Sequence, residues 1–283
     1  MERKTAIVTG SSSGFGLSVC LALAQEGYQV IATMRDTGKG SRLLAQAEQK
    51  GVLDRIALVS LDVTVPEQAE AVICQVISHY GRIDLLINNA GVAIGGFVEE
   101  LPPEKWQEQF QTNFFGLVHV TRAVLPQMRK QRSGTIINLS SISGLIGFPG
   151  LAPYAASKHA VEGFSESLRL ELLPWGIDVV LIEAGAYKTE IWEKGLRQVT
   201  ANENSPYAPQ MNRLRQIVTR IAEQAGPPEE VVHAIMTAVR AKRPRLRYPV
   251  GKGIRVQLLL KKLLPWSFLE KMIARQLDSR RDR

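Results

Sequence analysis

The segment Thr5-Ala6-Ile7-Val8-Thr9-Gly10-Ser11-Ser12-Ser13-Gly14-Phe15-Gly16 opens as a strand and closes as a helix. Thr5 to Thr9 is a short, apolar, β-branched run, and an apolar helical period follows from Gly16 to Glu26. Between them Gly10, Gly14 and Gly16 let the backbone turn sharply and approach a pyrophosphate, whose charge would sit against the helix N-terminus. A glycine-rich turn after a strand is often only a turn, but the order strand, turn, helix is the one that phosphate binding requires.

The same grammar continues outward. Strand-like runs at Gln29 to Thr33, Ile56 to Ser60, Leu85 to Asn88, Thr135 to Leu139 and Asp178 to Ile182 alternate with helical segments such as Pro66 to His79. Gly81, Gly134 and Gly176 stand where the preceding helices close, as expected of left-handed C-caps. Runs apolar on both faces imply a parallel sheet covered by helices on each side, so the fold class is α/β, a single-domain, doubly wound Rossmann-like sheet. From Ala184 to Pro209 the pattern loosens, which fits a loop over a ligand. Helices over Gln210 to Gln224 and Glu229 to Ala241 and a short strand at Leu246 to Pro249 then follow. The expected organisation is a Rossmann-like unit over 1–250, including a ligand-covering loop at 184–225, and a basic amphipathic extension at 251–283.

With 283 residues, 45% hydrophobic and 22% charged, the chain has the composition of a globular protein with a core. Its net charge of +8 is concentrated in the tail, where fourteen Lys and Arg face three acidic residues from Arg240 onward. Cys20 and Cys74 fall in helical segments without metal-site spacing, so neither a disulfide framework nor a metal is expected. No apolar run reaches membrane-spanning length and the N-terminus lacks a signal-peptide pattern, which points to a cytoplasmic setting.

Three motifs together carry a family resemblance. TGxxxGxG at Thr9 to Gly16, Asn88-Asn89-Ala90-Gly91 after the fourth strand, and Tyr154-Ala155-Ala156-Ser157-Lys158 resemble the short-chain dehydrogenase/reductase family, most closely its hydroxysteroid and retinol dehydrogenase branch. The match runs from about Lys4 to Val250. The resemblance implies a nicotinamide dinucleotide held by Gly10, Ser12, Ser13, Gly14, Phe15 and Gly16. It also implies adenine contacts at Asp62 and Val63, ribose contacts at Asn89, Ala90 and Gly91, and further cofactor contacts at Gly185 and Thr189. Where the family usually has Pro-Gly after the sixth strand, this chain has Ala184-Gly185, which loosens that loop. At the end of the second strand, the position of an NAD-selecting carboxylate is Met34, followed by Arg35, so NADP(H) is expected ahead of NAD. The competing reading is that Arg35 is a solvated loop residue neutralised by Asp36.

Tyr154 and Lys158 stand one helical turn apart and share a face. A phenol normally titrates near about 10, and a nearby ammonium with a positive nicotinamide would favour its phenolate. Such a pair on its own is ordinary helix decoration. Ser141, just past a strand and thirteen residues before Tyr154, stands where the family's serine bonds the substrate oxygen, with Ser140 its near rival, expected to bond local backbone. Asn113 matches the fourth member, which holds a water linking Lys158 to solvent; a backbone-bonded helix distortion is the structural alternative. In the implied mechanism Ser141 and Tyr154 polarise a carbonyl, Tyr154 donates a proton, Lys158 anchors the nicotinamide ribose, and the cofactor supplies hydride.

Ile94, Ile142, Phe148, Leu151, Tyr187 and Trp192 are candidate substrate contacts, mostly apolar, which favours a hydrophobic alcohol, ketone or aldehyde. The resemblance implies a homodimer or homotetramer through the helices around Asn113 and Tyr154. In the tail, Leu258, Leu259, Leu263, Leu264, Trp266, Phe268, Leu269, Met272 and Ile273 lie among Lys261, Lys262, Lys271 and Arg275. That pattern suits a helix on an anionic membrane, a bridge between subunits, or a helix packed on its own domain. No nucleic-acid recognition motif accompanies the basic residues. The rival functional class is a non-catalytic nucleotide-binding or membrane-associated regulatory protein on the same fold.

Overall fold

A computed structural model describes residues 3–188 and 205–277. Seven strands form one parallel sheet: β1 (Thr5–Thr9), β2 (Gln29–Met34), β3 (Ile56–Ser60), β4 (Leu85–Asn88), β5 (Gly134–Ser141), β6 (Ile177–Ala184) and β7 (Arg247–Val250), in spatial order β3-β2-β1-β4-β5-β6-β7. The strand order reverses direction between β1 and β4, which opens a crevice at the carboxyl ends of the strands, where ligands of such sheets bind.

Alternating side chains of each strand serve two cores. Ala6 and Val8 face one core with α1 (Gly14–Gln25), α2 (Ser41–Gln49) and α8 (Glu229–Arg240). Ile7 faces the other, with α3 (Pro66–Tyr80), α5 (Gly116–Gln131) and α6 (Ala152–Leu172). Burial on both faces explains why the strands read as continuous apolar runs. Outside these layers lie α4 (Pro103–Phe110), α7 (Ala208–Glu223), α9 (Ile254–Leu263) and α10 (Trp266–Leu277). β7 is the last strand of the sheet, and the described tail beyond it is helical.

One expected cap is elsewhere. Gly81 and Gly176 are left-handed C-caps, at φ 70° and 69°. Gly134 instead begins β5 at φ 156°, and the left-handed C-cap of α5 is Arg132, at φ 52°. Arg132 is held there by a bond from its guanidinium to the Pro174 carbonyl at 3.1 Å. Glycine at 134 answers a different demand, because a Cβ there would stand 2.7 Å from Met128 Sδ.

Candidate active site

The turn after β1 is built for close approach. A Cβ at Gly10, itself at φ 67°, would meet Ala90 Cα at 2.8 Å, and one at Gly16 would meet the Asn89 amide nitrogen at 2.5 Å. Asn89 Nδ2 donates to the carbonyls of Thr9 and Gly10 at 2.8 and 2.9 Å, and Thr9 Oγ1 accepts the Asn89 and Ala90 N–H groups at 3.0 Å each. Asn89 therefore staples the first turn to the end of β4. Ser11, not singled out from sequence, locks the turn to the sheet by donating to Val8 and Thr33 carbonyls at 2.9 and 3.0 Å. Ser12, Ser13, Gly14 and Phe15 are only half-buried, and the first turn of α1 carries neither a side-chain cap nor an acidic residue. Uncapped N–H groups beside a turn that has no room for side chains fit the pyrophosphate of a dinucleotide.

At the end of β2, Met34 is buried and Arg35 exposed. Asp36 does not neutralise Arg35: it caps the next turn by accepting the Gly38 N–H at 3.0 Å and pairs with Lys39 at 3.8 Å. Asp62 closes a local turn on Thr64, and Val63 is a core residue packed against Gly116, its carbonyl 3.1 Å from His119 Nδ1. Gly185 donates its N–H to Val250 at 2.9 Å, and a Cβ there would meet Ile254 Cδ1 at 2.6 Å. Thr189 and Trp192 lie outside the described residues.

At the reacting end, α6 places Tyr154 and Lys158 on one face, with Pro153 in its first turn. Ser141, the last residue of β5, faces the Tyr154 hydroxyl, and its Oγ accepts the Ser143 N–H at 3.2 Å. Burial pushes the Tyr154 phenol above its ordinary value and Ser141 only partly offsets it. In the protein alone desolvation therefore outweighs the other influences on the phenol, while the expectation for its phenolate included a positive nicotinamide beside it. Lys158 is 7% exposed; its Nζ donates to the Leu139 carbonyl at 2.6 Å and lies 5.8 Å from the Tyr154 ring centre. Burial lowers the Lys158 ammonium to about 8, against the charge of Glu162 that raises it. Ser140, the rival serine, bonds the Glu162 carboxylate rather than local backbone.

Asn113 lies in a π-turn, Gln111–Phe115, between α4 and α5. It is 2% exposed, accepts the Val92 N–H at 2.8 Å and donates to the Val92 carbonyl at 2.9 Å and to Ser157 Oγ at 3.4 Å. Its side chain is thus spent on backbone, the distortion anticipated as the alternative, and it clamps the segment after β4 beside α6. Gln109, one turn earlier, does the same to Val92 and Ile94 at 2.9 and 2.8 Å. Sequence reasoning missed Gln109, although its i, i+4 spacing from Asn113 was visible.

The apolar rim assembles from two segments joined by Gly96 N–H to the Gly150 carbonyl at 2.8 Å, which sets Ile94's segment beside Leu151 and Phe148. Ile94 is fully buried, while Ile142, Phe148 and Leu151 are half-buried. Tyr187 is a correction: 1% exposed, it belongs to the core, edge-on to Phe15 with ring centres 5.8 Å apart, its hydroxyl donating to Glu230 at 2.9 Å. An aromatic residue in an irregular stretch suggested a ligand contact; a carboxylate on α8 explains its burial instead. Residues not foreseen at the rim are Phe97 and Tyr207, stacked at 4.5 Å, and Leu214, the side chain nearest a Cβ placed on Gly150.

A model of the short chain dehydrogenase family matches residues 4–199. The chain is 47% identical to the uncharacterized oxidoreductase YusZ of Bacillus subtilis (strain 168) over 99% of its own length and 100% of that protein. It is 37% identical to retinol dehydrogenase 8 of Homo sapiens over 86% and 80% of the two chains. Among solved structures, a short chain dehydrogenase/reductase from Burkholderia phymatum in complex with NAD aligns at TM-score 0.80 with 27% identity, covering 92% and 93%. ElxO with NADP bound aligns at TM-score 0.75 with 27% identity, covering 90% and 100%. Nucleotide-ready turn, Tyr154-Lys158 pair and whole-length similarity converge on one conclusion: the chain belongs to the short-chain dehydrogenase/reductase family, of the retinol dehydrogenase type, and is an oxidoreductase that takes a nicotinamide cofactor.

Proposed function

We propose that this protein is an NADP(H)-preferring oxidoreductase interconverting a hydrophobic alcohol and its ketone or aldehyde. The observation that carries the cofactor choice is Arg35, exposed at the end of β2 beside a buried Met34, with no ion pair among the described residues. A 2′-phosphate would supply the missing partner, whereas no carboxylate stands there to take both ribose hydroxyls. In this reading Gly10, Ser12, Ser13, Gly14, Phe15 and Gly16 take the pyrophosphate, Asp62 and Val63 the adenine, and Asn89, Ala90 and Gly91 the adenosine ribose. Gly185 and Thr189 serve the nicotinamide side. When bound, the nicotinamide supplies or accepts hydride.

The chain's own residues handle the proton. Ser141 and Tyr154 donate to the substrate oxygen, and the raised phenol keeps Tyr154 protonated at neutral pH, as reduction requires. Lys158 holds the nicotinamide ribose, and Asn113, whose side chain is engaged by Val92 and Ser157, serves the relay towards solvent through its main chain. The rim of Ile94, Ile142, Phe148 and Leu151, joined by Trp192 and by Phe97, Tyr207 and Leu214, supports an apolar substrate. We assign 1–250 as the catalytic unit, with 184–225 covering the substrate. Two free thiols, Cys20 and Cys74, suit a reducing cytoplasmic setting. A non-catalytic regulator is not favoured by membership in an oxidoreductase family.

The proposal extends to assembly. Phe115, Leu170 and Leu173, exposed around α5 and α6, support a homodimer or homotetramer through those helices. On α9 and α10 the outward residues Val256, Leu259, Leu263, Trp266 and Phe268 lie among Arg255, Lys262 and Lys271, which supports peripheral contact with an anionic membrane.

Fluorescence titration with NADPH and NADH separately tests the cofactor reading. NADPH should bind at least about tenfold more tightly, as a charge-assisted pair implies, and Arg35→Ala should erase the difference. Equal or NADH-favouring binding would overturn it.

A further inference from the structure

Behind the Tyr154-Lys158 pair lies a buried charge cluster that none of the motifs includes. Glu162 follows Lys158 by one turn of α6 and is 5% exposed. One carboxylate oxygen accepts the Ser140 hydroxyl and the other accepts Arg247 Nη1. Arg247, which opens β7, also donates to buried Glu183 on β6 at 2.5 Å and to exposed Glu166 at 2.6 Å. Three successive residues of β5 thus divide the work: Leu139 holds the Lys158 ammonium, Ser140 holds Glu162, and Ser141 faces Tyr154.

Lys158, Glu162 and Glu183 are the buried charges; half-buried Arg247 links the two carboxylates and reaches Glu166 at its exposed edge. Other elements packed on Lys158 add no buried charge: β5, the turn at Ile142–Gly144 and the π-turn are uncharged, Glu104 and Glu108 of α4 are exposed, and Lys105 pairs with Glu108 at 2.7 Å. Without Glu162, Arg247 keeps Glu183 and Glu166, whereas Lys158 loses the buried carboxylate one turn along its own helix. Arginine does not release its proton in proteins, so the imbalance falls on Lys158.

We infer that Glu162, gripped by Ser140 and Arg247, is a positioning residue that keeps Lys158 charged in its buried seat. This rests on the reading of Lys158 as a working member of the site. It differs from a purely structural role, in which Glu162 would anchor β7 to α6 and leave the lysine's ionisation untouched.

The test measures urea-unfolding free energy against pH for the wild type, Glu162→Gln, Lys158→Met and the double variant, so that the Lys158-dependent part is isolated by difference and needs no activity. In Glu162→Gln that transition should move down by at least about one pH unit, the size of shift a neighbouring charge produces. Glu162→Asp should stay near the wild type. If Glu162→Gln does not fold but the double variant does, the uncompensated cation is the cause and the inference stands. An unmoved transition, or a double variant that is also unfolded, overturns it. The pH limb of turnover should move in parallel; a shifted unfolding transition in a protein without Tyr154-dependent turnover would instead remove the catalytic reading and leave the coupling intact.

Discussion

Lys158 is a cation in surroundings that disfavour cations. Its ordinary value of 10.5 falls to about 8 through burial, against the raising charge of Glu162. A lysine that titrates lower when folded binds fewer protons in the folded state than in the unfolded one across that interval. Stability from this residue therefore rises as pH increases from about 8 towards 10.5, and the penalty relieved is about 3 kcal/mol. Above about pH 10 Tyr154 works the other way, since its raised phenol holds a proton that the unfolded chain loses. Urea unfolding at pH 7 and 9.5 should show the rise in the wild type and lose it in Lys158→Met; equal slopes would contradict it. At this scale the sequence displayed the placement of Tyr154, Lys158 and Ser141, because their spacing on one helix and one strand end is local. Glu162 and Arg247 were not visible, since an 85-residue separation brings them together only through the β6 to β7 pairing.

At the scale of elements, the parallel sheet was legible because continuous apolar runs demand cover on both faces, and the two cores deliver it. Where the reading of helix ends failed, tertiary contact had overridden local preference. Arg132 occupies the left-handed position that glycine favours, tied by its guanidinium to Pro174, while Gly134 yields space to Met128. The π-turn at Gln111–Phe115 has a similar origin. Asn113 and Gln109 both turn inward to bond Val92, and the extra residue in that turn accompanies the arrangement. No periodicity reports such a turn, because its cause lies after β4.

For the whole molecule, the decisive feature is the tail. Among the described residues no helix is long and apolar enough to cross a membrane. On α9, Ile254 packs inward against Gly185, and at roughly 100° per residue Val256, Leu259 and Leu263 fall on the opposite side. Leu263 and Trp266 are 68% and 60% exposed. The three options open in the sequence therefore divide by face: the inner one packs on the domain, and the outer one is free to meet lipid or a second subunit. Flotation with phosphatidylserine-containing vesicles should carry the wild type upward and fail for Leu259→Glu/Leu263→Glu. Sedimentation velocity without lipid should show the same dimer or tetramer for both proteins. A variant that floats as before would remove the membrane reading, and one that becomes monomeric would assign the face to a subunit contact.

The most direct measurement follows NADPH oxidation with a panel of apolar ketones and aldehydes, comparing the wild type with Tyr154→Phe. The account expects turnover in the wild type and a loss of at least about a hundredfold in the variant, the usual reach of a general acid, with NADPH binding unchanged. Turnover that survives Tyr154→Phe, or a wild type that binds NADPH yet reduces none of these carbonyls, would contradict it.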